Sequence, residues 1–230
     1  MTASINAARY HLAQRFNYLV LPWMVLLFAF LADIVILELT PAGNDPNRWV
    51  GGLASIYCVI FICGVVSVAR SLPFGLALGL SRRSYYSGTA LLAVALGASY
   101  GLVITALQAI ERATHGWGID MAFFRVPYIL EGPWYITWLT SAVAMMLLFA
   151  YGMWFGLVFR RWGLAGVIAF AAAQVTLVIV GAVVATWADA WASIGHFFHT
   201  LSASGLSGVL VVLLLALLVG GFATMRRVTV

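Results

Sequence analysis

The sequence predicts an all-α integral membrane protein: six transmembrane helices, both termini in the cytoplasm, and an N-terminal amphipathic helix in the membrane interface. Three observations lead there. Of the 230 residues, 64% are hydrophobic and only 8% are charged, which excludes a soluble globular domain. Six apolar runs follow one another, each long enough at ~1.5 Å per residue to cover a hydrocarbon core of ~30 Å. The charges between them alternate in sign. Every cation is Arg, and Arg9 and Arg15, then Arg70, Arg82 and Arg83, then Arg160 and Arg161, then Arg226 and Arg227 fill four segments that hold no acidic residue. The intervening segments carry Glu38, Asp45, Glu111, Asp120, Glu131 and Asp189, with Arg48, Arg112 and Arg125 as their only cations. Cationic segments stay cytoplasmic during insertion, so this alternation sets span count and orientation together. The net charge of +5 is accordingly the footprint of topology and anionic headgroups, and no nucleic-acid partner is expected.

Taken in order, residues 1–18 form a cytoplasmic interfacial helix and 19–230 a six-span domain. Ile5, Ala8, Leu12, Phe16 and Leu19 recur at spacings of three and four, with Arg9 and Arg15 flanking the stripe, as in a helix lying among headgroups. The run after it has no small-residue cleavage site and reads as a retained span, not a signal peptide. The spans are expected near 19–39, 50–69, 88–110, 134–159, 163–186 and 206–225. Trp49, Trp134, Tyr135, Trp138, Trp187 and Trp191 mark the outer interface, and Tyr18, Trp23, Tyr85, Tyr86 and Trp162 the inner one. The loop near 40–49, with Pro41, Gly43, Asn44 and Pro46, reads as a plain turn. The outer segment 111–133 mixes Phe123, Phe124, Tyr128 and Ile129 with charges and reads as short interfacial helices. Residues 187–205 carry Trp187, Trp191, Ile194, Phe197 and Phe198 at helical spacing, which suits an outer amphipathic or re-entrant helix. Cys58 and Cys63 lie on different faces of one span, which argues against a disulfide or metal pair.

The connection after the second span carries the functional argument. Residues 71–84 insert Pro73, Phe74, Leu76, Leu78 and Leu80 among cations, where a minimal turn needs only a few polar residues. Pro73 ends the preceding helix, Gly75 and Gly79 punctuate a short helical turn, and Ser81 suits the N-cap of the next helix. The result is a knob with an apolar tip and an arginine rim, fit for a groove on a soluble partner. The chain lacks Lys altogether, so neither a P-loop nor a Schiff-base site can be built from it.

The stretch Pro73-Phe-Gly-Leu-Ala-Leu-Gly79-Leu-Ser-Arg82-Arg83-Ser-Tyr85-Tyr86 resembles the cytoplasmic connection of ATP-binding-cassette (ABC) exporter permease subunits, type 2 permease family. The N-terminal interfacial helix, the span count and the outer helical segment before the last span extend the resemblance over nearly the whole chain. It implies that Phe74, Leu78, Gly79, Ser81, Arg82, Arg83 and Tyr85 form a coupling helix docked on a separate soluble ABC ATPase subunit. That partner would bind ATP and Mg, leaving this chain with no cofactor and no catalysis of its own. It also implies a homodimer or a heterodimer with a second permease in the inner (plasma) membrane, embedded in lipid and exporting a hydrophobic or amphipathic substrate. In many such subunits the loop corresponding to 111–133 is short, so the outer gate here departs from the pattern.

Polar residues inside spans are candidate pathway groups. Asp33 is the costliest: a carboxylate at mid-depth costs ~2.5–3.5 kcal/mol on insertion scales, less at its place roughly two-thirds across the first span, where it either lines an outward-opening cavity or reaches the outer interface. Gln108 and Gln174 join it, either touching substrate or bonding neighbouring helices. Gly97–Gly101 and Gly152–Gly156 have the G-x-x-x-G spacing that permits close helix contact, although 22 glycines produce such spacings readily by chance. A membrane-embedded hydrolase using His196, His199 and a nearby serine is the rival reading, and a non-transporting anchor subunit a third. His196 and His199, at i and i+3, lack a third ligand for a metal. The topology has a direct check: single cysteines at Ser81 and Asn44 are expected to label with impermeant thiol reagents from opposite sides of the membrane. Labelling of both from one side would exclude it.

Overall fold

The computed structural model describes residues 16–40, 48–127, 129–130, 132–200 and 202–225. The expected interfacial helix lies outside the described residues except at its end, as do Asn44, Tyr128, Glu131, Arg226 and Arg227. Seven α-helices are described: α1 (Leu21–Leu39), α2 (Ala54–Ala69), α3 (Ser71–Ala77), α4 (Arg82–Ala113), α5 (Trp134–Trp187), α6 (Trp191–Thr200) and α7 (Ala203–Met225). Among the described residues five helices are long and apolar enough to cross a membrane. The longest, α5, is broken at Gly163, whose backbone (φ 65°, ψ −159°) is one that side-chain-bearing residues avoid. Two arms result, 134–162 and 164–187, folded back on each other: Phe170 meets Trp154 and Phe155, and Gln174 meets Tyr151. The break falls where the sequence places two span ends, but one glycine makes the turn with no loop.

The first arm of α5 is the centre of the bundle. It runs parallel to α2 with Gly152 and Gly156 against the α2 backbone; a Cβ at Gly156 would stand 2.7 Å from the Val65 oxygen. Gly64 of α2 returns the contact against Phe149. On another face α4 passes antiparallel, Gly97 beside Met146 and Gly101 beside Ala142, where added Cβ atoms would sit 2.7 and 2.9 Å from the neighbour. Both G-x-x-x-G pairs are therefore contact faces. In lipid, where apolar transfer gives helices no reason to associate, close backbone packing of this kind is a main source of adhesion. A third face takes α7, through Thr140–Ser207 at 2.7 Å and Trp154 Nε1 donating to the Leu217 carbonyl at 2.9 Å. α1 lies antiparallel to α2, tied at one end by Cys63 to the Asn17 carbonyl and at the other by Asp33 to Gly52.

Several expected details change. Tyr18, Tyr85 and Tyr86 are buried, so they brace helices where interface anchors were expected, with Tyr100 and Tyr85 donating to the carbonyls of Tyr18 and Ser67. Trp162 is exposed at the hairpin turn with the Arg161 guanidinium 4.6 Å over its ring. The described residues of 114–133 form no short α-helices: one π turn (Gly116–Asp120) is followed by turns and irregular chain. α6 does form within 187–205, as its periodicity predicts. Cys58 and Cys63 are free thiols, one exposed and one buried.

The packing makes a contrast testable. Gly152→Val drives a branched side chain into the Phe61 carbonyl, whereas a Cβ at Gly181 meets nothing within 4 Å. The first substitution is expected to destabilise the purified protein by ~2 kcal/mol or more, and Gly181→Val by well under 1 kcal/mol. Thermal unfolding in detergent compares them; equal losses would remove the central contact from its role.

Candidate functional site

The knob after α2 is built by local sequence. Pro73 has no N–H for the Ala69 carbonyl, and α2 stops at Ala69. α3 then turns once and ends in a Schellman motif: Leu80 N–H donates to Gly75 O at 3.1 Å and Gly79 N–H to Leu76 O at 3.0 Å. Gly79 (φ 82°) supplies the left-handed residue that this motif needs. Ser81 caps α4, its hydroxyl accepting from Ser84 N–H at 3.1 Å. Gly75 lets α3 sit against the Tyr85 ring, and Tyr85 bonds the Ser67 carbonyl of α2. Tyr85 therefore holds the knob from within. Phe74 and Leu78, one turn apart, are 68% and 70% exposed, and Ser81, Arg82 and Arg83 are exposed beside them. Five of the seven expected docking residues thus form one outward surface with Gly79 at its turn.

The three polar span residues are not gathered in one place. Asp33 is half-buried and accepts the Gly52 N–H at 3.1 Å, just before the first turn of α2. The positive end of that helix, which has no side-chain cap of its own, compensates the carboxylate. Gln108 is buried, and its Nε2 donates to the Phe124 and Leu130 carbonyls at 3.2 and 3.0 Å, so it ties down the outer segment. Gln174 accepts from the Tyr151 hydroxyl, while its own Nε2 is buried with no hydrogen-bond partner. Around that pair the rings of Phe61 (α2), Tyr151 and Phe155 (first arm) and Phe170 (second arm) meet edge-on or tilted, with centroids 5.1–5.7 Å apart. All are partly exposed. The four rings pack on one another as a partly exposed aromatic cluster that joins α2 to both arms beside the buried amide.

Sequence reasoning missed the most elaborate polar cluster. Glu111, 0% exposed, accepts from the Trp117 indole (3.1 Å), from the Phe123, Phe124 and Arg125 amides (3.0, 2.8 and 3.2 Å) and from Arg125 Nε (3.2 Å). It is the only ion pair among the described residues. The wrapped segment then bridges to the chain before α2, through Ala122 N–H to Arg48 O and Val50 N–H to Ala122 O, while Arg48 donates to the Ile119 carbonyl at 2.6 Å. The available signal was Glu111 one turn after Gln108, both on the inward face of a helix, followed by paired glycines at 116 and 118. Read as a topology marker, the carboxylate gave no hint of its partners.

Among the described side chains the hydrolase residues form no such arrangement. His196 is exposed, the side chain of His199 lies outside the described residues, Ser202 and Ser204 bond each other at 2.9 Å, and Ser207 faces Thr140. Among the described residues no three His, Cys, Asp or Glu side chains come together.

Removal of the Glu111 acceptor strands several inward amides, each costing ~1–3 kcal/mol if it finds no water. Glu111→Ala is therefore expected to lose ~3 kcal/mol or more and to open residues 117–125 to hydrogen exchange, with Glu111→Gln in between. Unchanged protection of those amides in Glu111→Ala would show that the carboxylate does not organise the segment. In comparisons with known proteins, no family model, curated protein or solved structure matches this chain.

Proposed function

We propose that this chain is the membrane-spanning permease subunit of an ATP-driven ABC exporter, crossing the inner membrane six times with both ends in the cytoplasm. The observation that carries the reading is the α3 knob: an apolar pair, Phe74 and Leu78, held outward by a structured cap and rimmed by Arg82 and Arg83, which form no ion pair among the described residues. Exposed apolar groups at the arginine-rich end of an apolar bundle are unfavourable unless something covers them, and an acidic, groove-bearing soluble subunit matches both features. With no Lys in the chain, nucleotide chemistry belongs to that partner, which holds ATP and Mg.

The packing supplies a route from knob to pathway. A displacement of α3 bears on Tyr85, hence on α4 and, through Ser67, on α2. Both helices meet the first arm of α5 at glycine contacts, which transmit motion because neither neighbour has slack. The aromatic cluster beside Gln174 joins α2 to the hairpin and would part as they shift, admitting a hydrophobic or amphipathic substrate. The second arm, exposed along its apolar length, is free for lipid or for a second permease subunit. Asp33 would give the outer end of the path its negative group.

The test is charge reversal at the knob. Arg82→Glu with Arg83→Glu is expected to leave folding intact, since both side chains are exposed, and to lower ATPase co-purification and substrate-stimulated ATP hydrolysis at least tenfold. Full retention of both activities would overturn the coupling role. In the same reconstituted system Asp33→Asn should slow only cationic substrates. Binding of an ATPase without any substrate-dependent turnover would instead favour the anchor reading.

A further inference from the structure

Where α2, α5 and α7 meet the outer segment lies a cavity of about 340 Å³ that none of these roles uses. Its volume falls at the lower end of small-molecule sites, ~300–1,000 Å³. Tyr57 of α2, Thr140 and Ala144 of α5 and Leu210 of α7 form its walls, and Ile129 and Leu130 of the outer segment complete it. The Leu130 carbonyl is held by Gln108, so the latch that fixes the outer segment also fixes this wall.

Among the described residues no Asp, Glu, Arg or His lines the cavity, and the side-chain polarity they give it is hydroxyl alone. Tyr57 and Thr140 reach the wall. On the neighbouring column of the same helix Thr137 and Ser141 are 1% and 0% exposed and have no full hydrogen bond, although Ser141 lies beside the Tyr57 hydroxyl. Thr137 and Ser141 are not part of the lining, and Thr140 already bonds Ser207 and the Ile136 carbonyl, so a guest meets the Tyr57 hydroxyl and the remaining lone pair of Thr140. A charged head would enter without a countercharge and lose its hydration, whereas an aliphatic chain fits the leucine, valine and alanine lining. The geometry points to a binding site for a neutral single-chain amphiphile from the membrane, its hydroxyl or ester oxygen against Tyr57 and Thr140 and its chain against Leu210 and Ala144. Gln108 is a positioning residue for this site. The site stands apart from the coupling reading, because no ATPase enters its test.

The experiment uses the full chain in phosphatidylcholine nanodiscs, with a diazirine-bearing monoacylglycerol as probe and cross-linked peptides mapped by mass spectrometry. Saturable labelling within residues 50–57, 140–144 and 210 is expected. Unlabelled monooleoylglycerol should compete, and oleate at least tenfold more weakly. Ala144→Phe, which fills the cavity, should cut labelling about tenfold. Tyr57→Phe, which removes only a hydroxyl, should weaken it roughly threefold to tenfold and leave labelling by a diazirine alkane unchanged. The second variant keeps the test decisive if the first fails to fold. Labelling spread over exposed positions such as Val178, equal competition by oleate, survival of labelling in both variants, or no labelling at all would each overturn the assignment.

Discussion

Close backbone contact along the first arm of α5 is the constraint on which the other parts depend. Within a bilayer, burying a leucine against another helix gains little over burying it in lipid, so association needs contacts that lipid chains cannot imitate. Gly152 and Gly156 against α2, and Gly97 and Gly101 of α4 against Ala142 and Met146, supply them. Two helices approach one arm from different sides, and the third face is left for α7, joined by hydroxyl and indole hydrogen bonds. Substituting one of these glycines therefore disturbs more than one interface.

The two ends of the bundle are finished by different chemistry. At the Glu111 end, a buried carboxylate gathers five donors and Gln108 adds two more bonds, so a stretch without regular secondary structure becomes ordered around a single charge. Its desolvation is offset because nearly every acceptor direction is filled by a backbone amide, an indole or a guanidinium. At the Arg82 end, order comes from backbone capping: a proline-terminated helix, a Schellman turn and a serine N-cap. The first end encloses its polar groups, and the second displays apolar ones. That asymmetry suits a molecule whose outer face is closed and whose inner face meets a partner.

Within the bundle, polar side chains work mainly as ties. Asp33 holds the Gly52 amide just before α2, Tyr100 and Tyr85 brace carbonyls of neighbouring segments, and Trp138 donates to the Ala98 carbonyl at 3.0 Å. Against that background the Gln174 amide and the hydroxyls of Thr137 and Ser141 stand out, because their capacity is not spent within the chain.

What the sequence by itself determined is everything carried by local rules. Long apolar runs gave the helices and their limits to within a few residues, and Ser81 set the start of α4 ahead of its apolar run by capping it directly. Pro73, Gly79 and Ser81 gave the knob, since each acts on its own backbone within one turn. Tertiary structure alone decided which G-x-x-x-G spacings were contacts, because any helix can carry them and only a facing backbone gives them meaning. It also decided that Glu111 is a buried hub, that Tyr18, Tyr85 and Tyr86 face inward, and that Asp33, Gln108 and Gln174 answer to three different partners. Those outcomes depend on residues up to 132 positions away in the chain, whose arrival no local periodicity encodes. Charge and hydropathy say where a segment lies in the membrane; only packing says which side of it faces another helix.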